Sequence, residues 1–335
     1  MPTQSLTLNP AQRVPTTTTL TPAVIDLVQA AKRPNTLAAY RSDLHAFGQW
    51  CTQQGLSALP ASPETVAAYL ADKGSDLHPK TLQRHCASIA QVHRLKGLQS
   101  PTQHELVRTC LQGLRAKAAT QRPKKQAGRK TKAPALLAEH VRLMLGSIAQ
   151  ETGAGLRDTA LLLVGYKAAL RRSELAGLQW WQVEWSAEGV LLRLQGSKTD
   201  KGSTGQVVAL AHEGGVFCPV EALQRWRSWC TENAQISPKT LEEGAVFRSL
   251  NKHLQLGQSI SAHAVGEIVK QRATAVGLEN VTAHSLRRGH LTEGHRRGKT
   301  EADLMRTSRH RSVAVFRSYI DEADPFTKAT GKGLL

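Results

Sequence analysis

Apolar residues recur at spacings of three and four from about residue 20 to residue 118, the spacing that places side chains on one face of an α-helix. The first such run contains Leu37, Tyr40, Leu44 and Phe47. No stretch of this region alternates between apolar and polar residues as a half-buried strand does. The pattern therefore predicts a helical N-terminal domain of about four or five short helices.

Two helix starts in this region are indicated by capping residues. Ser62 precedes Pro63, which matches a side-chain cap followed by proline in the first turn. Thr102 and Glu105 have the spacing of a capping box, in which each side chain binds a backbone N–H group that the helix leaves free. We therefore expect helices to begin directly after Ser62 and after Thr102.

The pattern changes after about residue 135, where helical runs accompany two short alternating stretches. Val190–Leu194 and Gln206–Leu210 alternate as strands do, and the glycines and aspartate of 196–202 are typical of a hairpin loop. Helical patterns cover 137–150, 156–170, 219–230, 262–275 and the segment from about residue 283 onward. We predict a mainly α protein with a small β-sheet (α+β), in which a helical domain precedes a mixed α/β domain.

A basic segment without acidic residues lies between the two regions. No Asp or Glu occurs from Leu106 to Ala138, whereas Lys and Arg accumulate and prolines and glycines interrupt any helix. We predict a disordered Thr- and Pro-rich arm at 1–19, a helical domain at 20–118, a basic linker at 119–134 and a second domain at 135–335. The linker is either only solvated or lies along phosphates, and we expect phosphate contacts from Arg122, Lys124, Lys125, Arg129, Lys130 and Lys132.

The charge balance indicates a polyanionic partner. The chain carries 44 Lys and Arg against 26 Asp and Glu, a net charge of +18 and a pI of about 10.1. Because it has no apolar run of about 18 residues, which a membrane span requires, nucleic acid is favoured over a membrane as the partner. The five cysteines are widely spaced and form no Cys-x-x-Cys pair, as expected of core residues in a reducing compartment. We therefore expect a cytoplasmic protein that acts on DNA.

Two clusters with candidate chemistry lie in the first half of the predicted second domain. Arg171 and Glu174 follow a long apolar helix and, taken alone, match a surface ion pair at helical spacing. Lys198 lies in the predicted hairpin loop and, taken alone, matches a solvated lysine.

Two further clusters lie near the C-terminus. His284 and Arg287 are spaced so that they share one face of a helix. Ser312 is the expected N-cap of the last helix, which places His310 before that helix and Tyr319 within it, so that both side chains can face one site. Taken alone, Tyr319 equally matches a buried core aromatic residue.

Taken together, these clusters contain the groups that phosphoryl transfer without a metal requires. Two guanidiniums can bind the non-bridging oxygens of a phosphodiester and stabilise the charge that develops there. A lysine can protonate the leaving 5′ oxygen, and a histidine can accept the proton of a nucleophilic phenol. The acid-poor chain shows no convincing trio of carboxylates for the ions of a metal-dependent nuclease or transposase. We expect no metal ion and no other cofactor.

In this order and at this spacing, the clusters resemble the active site of the tyrosine recombinase, or phage integrase, family. The resemblance covers nearly the whole chain from about residue 20 and includes a Leu-Arg-x-x-Glu-Leu box, a hairpin lysine, a His-x-x-Arg box, a second histidine and a tyrosine nine residues beyond it. It implies catalytic roles for Arg171, Glu174, Lys198, His284, Arg287, His310 and the nucleophile Tyr319.

The resemblance also implies an architecture, a reaction and partners. A SAM-like core-binding domain and a catalytic domain would clamp double-stranded DNA at a specific target site. The protein would be a site-specific recombinase that acts through a 3′-phosphotyrosine intermediate without ATP or a metal. The implied working assembly is a homo-tetramer in the synaptic complex, with a monomer left open for the free protein.

The chain departs from the family pattern at one position and is ambiguous at two. Arg309 occupies the position before the second histidine where the family usually carries glycine, so we expect a tighter or redirected turn. Arg172 and Arg288 adjoin the chosen arginines, and a shift of one residue would exchange them. We favour Arg171 because it keeps the spacing of the Leu-Arg-x-x-Glu-Leu box.

Two other functions are considered: a non-catalytic DNA-binding protein of the same fold, and a monomeric topoisomerase of type IB chemistry that relaxes DNA. The complete set of catalytic residues disfavours the first, and the compact core-binding domain disfavours the second. Outside the active site, Lys80, Gln83 and Arg84 at a helix start and Arg41 on another helix either reach a DNA groove or are only solvated. We predict DNA contacts at these four positions.

Overall fold

The computed structural model describes residues 34–120, 133–194, 205–233, 236–251, 253 and 255–320. Contacts divide the chain into two compact units, Met1–Arg129 and Lys130–Leu335. The described residues of the first unit form helices alone, whereas those of the second form helices and a small sheet. No helix in the described ranges is long and apolar enough to cross a membrane.

The first unit packs its helices around an aromatic core. Its elements are α1 (Pro34–Gln53), α2 (Pro63–Lys73), α3 (Pro79–Leu95), the 3-10 turn Pro101–Gln103 and α4 (Glu105–Thr120). Tyr69 of α2 contacts two aromatic rings of α1 edge to face, with centroid distances of 5.0 Å to Phe47 and 5.3 Å to Trp50. These contacts explain the spacing of apolar residues in α1, since each of these side chains faces the core.

The two predicted helix starts have opposite outcomes. Ser62 caps α2 as predicted, because its Oγ accepts the backbone N–H of Thr65 at 3.2 Å. The capping box predicted at Thr102 is wrong. Thr102 lies inside the proline-initiated 3-10 turn, and α4 begins only at Glu105. The cap is instead supplied by His104, whose Nδ1 accepts the backbone N–H of Leu106 at 3.3 Å.

A buried carboxylate ties α1 to α3 in this unit. Asp43 is 1% exposed, and it accepts two hydrogen bonds from Arg84, at 2.9 Å from Nε and 2.8 Å from Nη2. His85 Nε2 lies 3.0 Å from the same carboxylate, and its Nδ1 lies 2.8 Å from the hydroxyl of Tyr69. The buried charge is therefore matched by hydrogen-bond donors, as burial of a carboxylate requires.

The second unit contains nine α-helices in its described residues: α5 (Ala138–Gly146), α6 (Gly153–Lys167), α7 (Arg172–Gly177), α8 (Pro219–Asn233), α9 (Pro238–Glu242), α10 (Ala262–Thr274), α11 (Ala283–Arg296), α12 (Glu301–Ser308) and α13 (Val313–Ile320). α6 is buried around nearly its whole circumference, as a central helix of uniformly apolar sequence should be. Gly165 of α6 lets neighbouring helices approach closely, since a Cβ there would lie 2.9 Å from Leu175 and 3.2 Å from Leu286.

A three-stranded antiparallel sheet completes the second unit. Its strands, in sheet order, are β1 (Val183–Ser186), β2 (Gly189–Leu194) and β3 (Gln206–Ala211). β2 and β3 pair in register, with Val190 opposite Leu210 and Leu192 opposite Val208, which confirms the two predicted strands. β1 was not predicted from the sequence. The fold class is confirmed: the chain is mainly helical with a small sheet.

The segment before α5 is fastened to α11. The backbone N–H of Leu136 donates to the carbonyl of Ser285 at 3.0 Å, and Arg288 Nη1 donates to the carbonyl of Ala133 at 3.2 Å. Gly289 permits this close approach, because a Cβ there would lie 1.7 Å from the carbonyl oxygen of Leu136. Ser285 and Gly289 of α11 therefore pack directly against the segment that precedes α5.

Candidate active site

α11 positions the predicted His-x-x-Arg pair. His284 and Arg287 lie in its first turns, where the spacing of three places them on one face. Arg287 is 1% exposed. Its Nη1 donates to the carbonyl of Ala169 at 2.6 Å, and its Nη2 donates to the carbonyl of Ser308. Two backbone segments distant in sequence therefore fix the plane of this guanidinium.

The predicted Arg171–Glu174 pair lies at the start of α7. α6 ends in a turn in which Ala169 adopts a left-handed conformation (φ 48°), and Arg171 directly precedes α7. Glu174 binds Arg171 twice: Oε1 accepts from Nη1 at 2.6 Å, and Oε2 accepts from the backbone N–H at 2.7 Å. The carboxylate thus orients the side chain and closes the helix N-terminus at once.

His310 and Tyr319 meet the other residues from the C-terminal side. Ser312 caps α13 as predicted, with its Oγ 3.3 Å from the backbone nitrogen of Val315. The hydroxyl of Tyr319 lies 2.8 Å from His284 Nε2, and the Tyr319 ring lies 5.1 Å from that of His310, centroid to centroid. Arg287 Nη2 lies 3.3 Å from His310 Nε2. Tyr319, His284, Arg287 and His310 therefore form one contiguous group.

Both histidines of this group are held in the neutral form. Burial, followed by the charges of Arg287 and Arg171, lowers the pKa of His284. Burial, followed by the same two guanidiniums, lowers the pKa of His310 to about 3. A neutral imidazole has a free lone pair, so it can accept a proton at neutral pH.

The Arg287 guanidinium stays charged. Burial and the charges of Arg171 and Arg309 lower the pKa of Arg287 to about 9, which leaves it positive at neutral pH. Burial would raise the pKa of Glu174, but Arg309 and Arg171 outweigh burial and hold that pKa below its ordinary value. The site therefore concentrates positive charge around a single carboxylate.

Arg309 belongs to the site, although sequence reasoning noted it only as a departure. It follows α12 with φ 59°, in the left-handed region where helix ends favour glycine. Its side chain turns inward and is almost fully buried, and Nη2 lies 2.7 Å from Glu174 Oε2. The sequence predicted a turn altered by Arg309 but not the ion pair of Arg309 with Glu174, because Glu174 lies 135 positions away in sequence.

The structure distinguishes the chosen arginines from their neighbours. Arg288 donates to the carbonyl of Ala133, whereas Arg287 contacts His310. Arg172 is exposed on α7, whereas Arg171 binds Glu174. Lys198 lies outside the described residues.

The predicted DNA contacts outside the site lie on the first unit or in the linker. Arg41 is exposed on α1, and Lys80, Gln83 and Arg84 are exposed near the start of α3. Arg84 also pairs with the buried Asp43. The predicted linker contacts, Arg122, Lys124, Lys125, Arg129, Lys130 and Lys132, lie outside the described residues.

One group of possible metal ligands occurs among the described residues. Atoms of His212, Cys218 and Glu221 lie within 4.8 Å of one another. Each of two members already has a backbone partner: Cys218 Sγ accepts the N–H of Glu213, and Glu221 accepts the N–H of Gly215. These contacts tie the loop at Glu213 and Gly215 to Cys218 and to the first turn of α8.

Comparison with known proteins agrees with this geometry. Residues 135–325 match the phage integrase family, and residues 26–100 match the N-terminal SAM-like domain of phage integrases. The chain is 30% identical over 306 residues to an integrase/recombinase xerD homolog of Selenomonas ruminantium. The matched region covers 89% of this chain and 85% of the relative.

Solved structures share the fold. A XerH site-specific recombinase bound to a palindromic difH substrate, in a post-cleavage complex, aligns with a TM-score of 0.58 at 15% identity, over 84% of this chain and 75% of that one. A lambda integrase tetramer bound to a Holliday junction aligns with a TM-score of 0.55 at 16% identity, over 89% and 75%. The chain belongs to the phage integrase family, the tyrosine recombinases, and is a site-specific recombinase that breaks and rejoins DNA.

Proposed function

We propose that this recombinase cleaves DNA by attack of the Tyr319 hydroxyl oxygen on a phosphodiester. The new bond from phosphorus to tyrosine forms as the bond from phosphorus to the 5′ oxygen breaks, which gives a 3′-phosphotyrosine and a free 5′ hydroxyl. The 5′ hydroxyl of a partner strand then reverses the step. Because each step exchanges one phosphodiester for another, the reaction requires neither ATP nor a metal ion.

The observation that carries this proposal is the 2.8 Å distance between the Tyr319 hydroxyl and His284 Nε2. The lowered pKa of His284 keeps its imidazole neutral and able to accept the phenolic proton. A phenol with an ordinary pKa near 10 is a weak nucleophile. A hydrogen-bonded base activates the phenol by accepting its proton as the oxygen attacks.

Arg171 and Arg287 supply the positive charge for the phosphate. A guanidinium has five N–H donors, and the two backbone carbonyls bound by Arg287 leave further donors on the same rigid plane. Arg171 is partly exposed and keeps its orientation through Glu174. Preorganised donors of this kind stabilise the charge that develops at phosphorus without reorganisation during the reaction.

Three further roles complete the proposal. Lys198 protonates the leaving 5′ oxygen, as the family resemblance implies. His310, held by Ser308 Oγ at 2.8 Å, supports Arg287 and binds the phosphate. The DNA partner is a duplex with a specific target site, contacted also by the basic linker and the exposed residues of α1 and α3.

We also propose a homo-tetramer as the working assembly and the cytoplasm as the location. The lambda integrase tetramer on a Holliday junction, which shares the fold, supports the first. The second is supported by the cysteines, since all five are free thiols, as a reducing compartment favours.

The test is a covalent selection that requires no knowledge of the target. The full chain is incubated with a library of nicked duplexes of random sequence around the nick, so that cleavage next to the nick releases a short fragment and traps the adduct. Denatured protein–DNA adducts are then isolated, the linked residue is identified by mass spectrometry, and the DNA is sequenced. We expect a restricted set of sequences attached to Tyr319, in equal yield with EDTA.

Tyr319→Phe is the matched control, since it removes one oxygen and keeps the ring that packs against the cluster beside it. It should bind the selected DNA and form no adduct. Adducts that persist in Tyr319→Phe, or the absence of any adduct with the wild-type chain, would contradict the proposal.

A further inference from the structure

We infer that Arg309 is a positioning residue for strand cleavage: it holds Glu174, and through it Arg171, in register with the His310 turn. The inference rests on the proposed function, since it assigns Arg171 and His310 to the phosphate. Arg309 acts through the residues that it holds, because the contacts of its guanidinium among the described residues are with Glu174 and with backbone carbonyls.

The contacts of Arg309 join two turns of the chain. Nη2 binds Glu174 Oε2 at 2.7 Å and the carbonyl of Ala169 at 3.3 Å. Nη1 binds the carbonyl of Ala168 at 3.3 Å and that of Thr307 at 2.9 Å. The guanidinium therefore spans from the turn before Arg171 to the turn before His310.

The two turns have the same construction. Each ends a helix with a non-glycine residue in the left-handed conformation, Ala169 at φ 48° and Arg309 at φ 59°. In each, the next N–H closes the turn: Leu170 donates to the carbonyl of Gly165 at 3.1 Å, and His310 to that of Met305 at 3.1 Å. Arg171 directly follows the closing residue of the first turn, and His310 is itself the closing residue of the second, so fixing one turn to the other fixes the separation of the two side chains.

The backbone conformation and the burial of Arg309 both carry a cost in stability. A left-handed conformation favours glycine over a residue with a Cβ. Burial also lowers the pKa of Arg309, a sign that its charge is partly desolvated, and its Nε is buried with no acceptor among the described residues. These costs are offset only by the contacts with Glu174 and the carbonyls, which are contacts to the active-site turns.

The carboxylate of Glu174 is divided between the two arginines. Oε1 binds Arg171, and Oε2 binds both Arg309 and the backbone N–H of Arg171. Without Arg309, Oε2 keeps a single donor, and Glu174 can rotate together with Arg171. A misplacement of this kind lowers the rate of cleavage and leaves DNA affinity nearly unchanged, because affinity depends on many phosphate contacts.

The first experiment compares four proteins on a duplex enriched by the covalent selection: wild type, Arg309→Met, Arg309→Gly and the control Arg306→Met. Arg306 is an exposed arginine of α12, the helix that ends just before Arg309, and it pairs with Asp303. Single-turnover cleavage at saturating protein and DNA affinity are measured separately for each. Arg309→Gly removes the strain of the turn, so it keeps the test valid if Arg309→Met folds poorly.

We expect both Arg309 variants to cleave on the order of tenfold or more slowly per folded molecule, with affinity unchanged. Arg306→Met should cleave at the wild-type rate. The acid limb of the pH profile should also move to higher pH in Arg309→Met, because Glu174 loses one of the two charges that lower its pKa. A purely structural role would lower the folded fraction and change neither the rate per folded molecule nor the profile.

The second experiment tests whether Arg309 acts through Glu174. Glu174→Gln is combined with Arg309→Met, and the rates of the single and double variants are compared. We expect the double variant to be no slower than Glu174→Gln alone. Additive losses of rate in the double variant would overturn the inference and leave the proposed function standing. The same holds if Arg309→Met cleaves at the wild-type rate while the wild-type chain forms the adduct. If the wild-type chain forms no adduct, the proposed function fails and the inference falls with it.

Discussion

The first unit and the candidate site of the second unit distribute buried charge in opposite ways. In the first unit the buried ion is an acid, Asp43, whose donors come from α3, and the predicted DNA-contact residues stay exposed. The second unit also buries a carboxylate, Asp158, which pairs with two arginines. At the candidate site, however, the buried ions are the guanidiniums Arg287 and Arg309, held mainly by backbone carbonyls. The first arrangement leaves long cationic side chains free to follow a phosphate backbone, whereas the second fixes cations at set positions.

This difference separates affinity from rate. Exposed cations contribute to DNA binding in small, nearly equal increments, because each neutralises about one phosphate. A cation fixed by carbonyls contributes mainly at the transition state, where its position relative to phosphorus matters. Substitutions in the two units should therefore affect different measured quantities.

The largest effect is expected at Arg287. Arg287→Ala should lower single-turnover cleavage by about 10³-fold, since a preorganised donor to the developing charge is lost. DNA affinity should change little. The neighbouring Arg288→Ala is the matched control: it should lower the thermal unfolding midpoint through loss of its contact with Ala133, while folded molecules keep their cleavage rate. Equal rate losses in both variants would remove the distinction between the two arginines.

A smaller effect is expected in the first unit. Asp43→Asn should lower the free energy of unfolding by about 1–3 kcal/mol, because the donors of Arg84 and His85 lose their charged acceptor. Hydrogen exchange read by mass spectrometry should show faster exchange in α1 and α3. Asp76→Asn, at an exposed carboxylate, should leave exchange unchanged. An effect confined to α11 would contradict the assignment of Asp43 to the first unit.

Acid should weaken the second unit. Burial is the largest of the effects that lower the pKa of His310 to about 3 and that of His290 to about 4. Since an unfolded histidine binds a proton near pH 6.5, the unfolded state gains protons first, and stability present above pH 6.5 is lost as the pH falls toward these values. Trp50 is the one tryptophan of residues 1–129, so thermal unfolding of Trp50→Phe followed by fluorescence reports the second unit.

We expect the thermal unfolding midpoint of Trp50→Phe to decrease as the pH is lowered from 6.5 to 4. The decrease should be less steep when His310→Asn is added. A midpoint independent of pH over this range would show that the histidines keep their ordinary pKa values in the folded chain.

The smallest effect is expected at Lys80. Lys80→Ala should weaken DNA binding similarly for target and non-target duplexes and reduce the slope of log affinity against log salt by about one. Cleavage at saturating DNA should be unchanged. Gln83→Ala, one turn along α3 and uncharged, should leave the salt slope as it is. An unchanged slope in Lys80→Ala would place Lys80 away from phosphate.

Most of the fold was predictable because its signals are local. The periodic helices, strands β2 and β3, the caps at Ser62 and Ser312 and the family all followed from short stretches of sequence. β1 was not predicted because its four residues show no clear alternation of burial, and pairing with β2 determines its conformation. The Thr102 prediction failed because a proline-initiated 3-10 turn competes for the same residues.

The candidate site was predictable as a set of residues and not as a set of contacts. Spacing placed His284 with Arg287 and located Tyr319 within a capped helix. It could not show that the Tyr319 hydroxyl meets His284, nor that Arg309 reaches Glu174. Both contacts join segments brought together only by the packing of α6, α11 and α12.

Tyr319 is attached to the smaller of the two apolar clusters of the second unit. α13 contributes Phe316 and Ile320 to a cluster with Leu291 and Leu304, separate from the large core around α6. A helix of eight residues has little stability of its own. Release of α13 therefore costs the burial of a few side chains and leaves the larger core intact. The proposed nucleophile is therefore attached to a part of the domain that can open locally, on a free-energy scale separate from that of unfolding the domain.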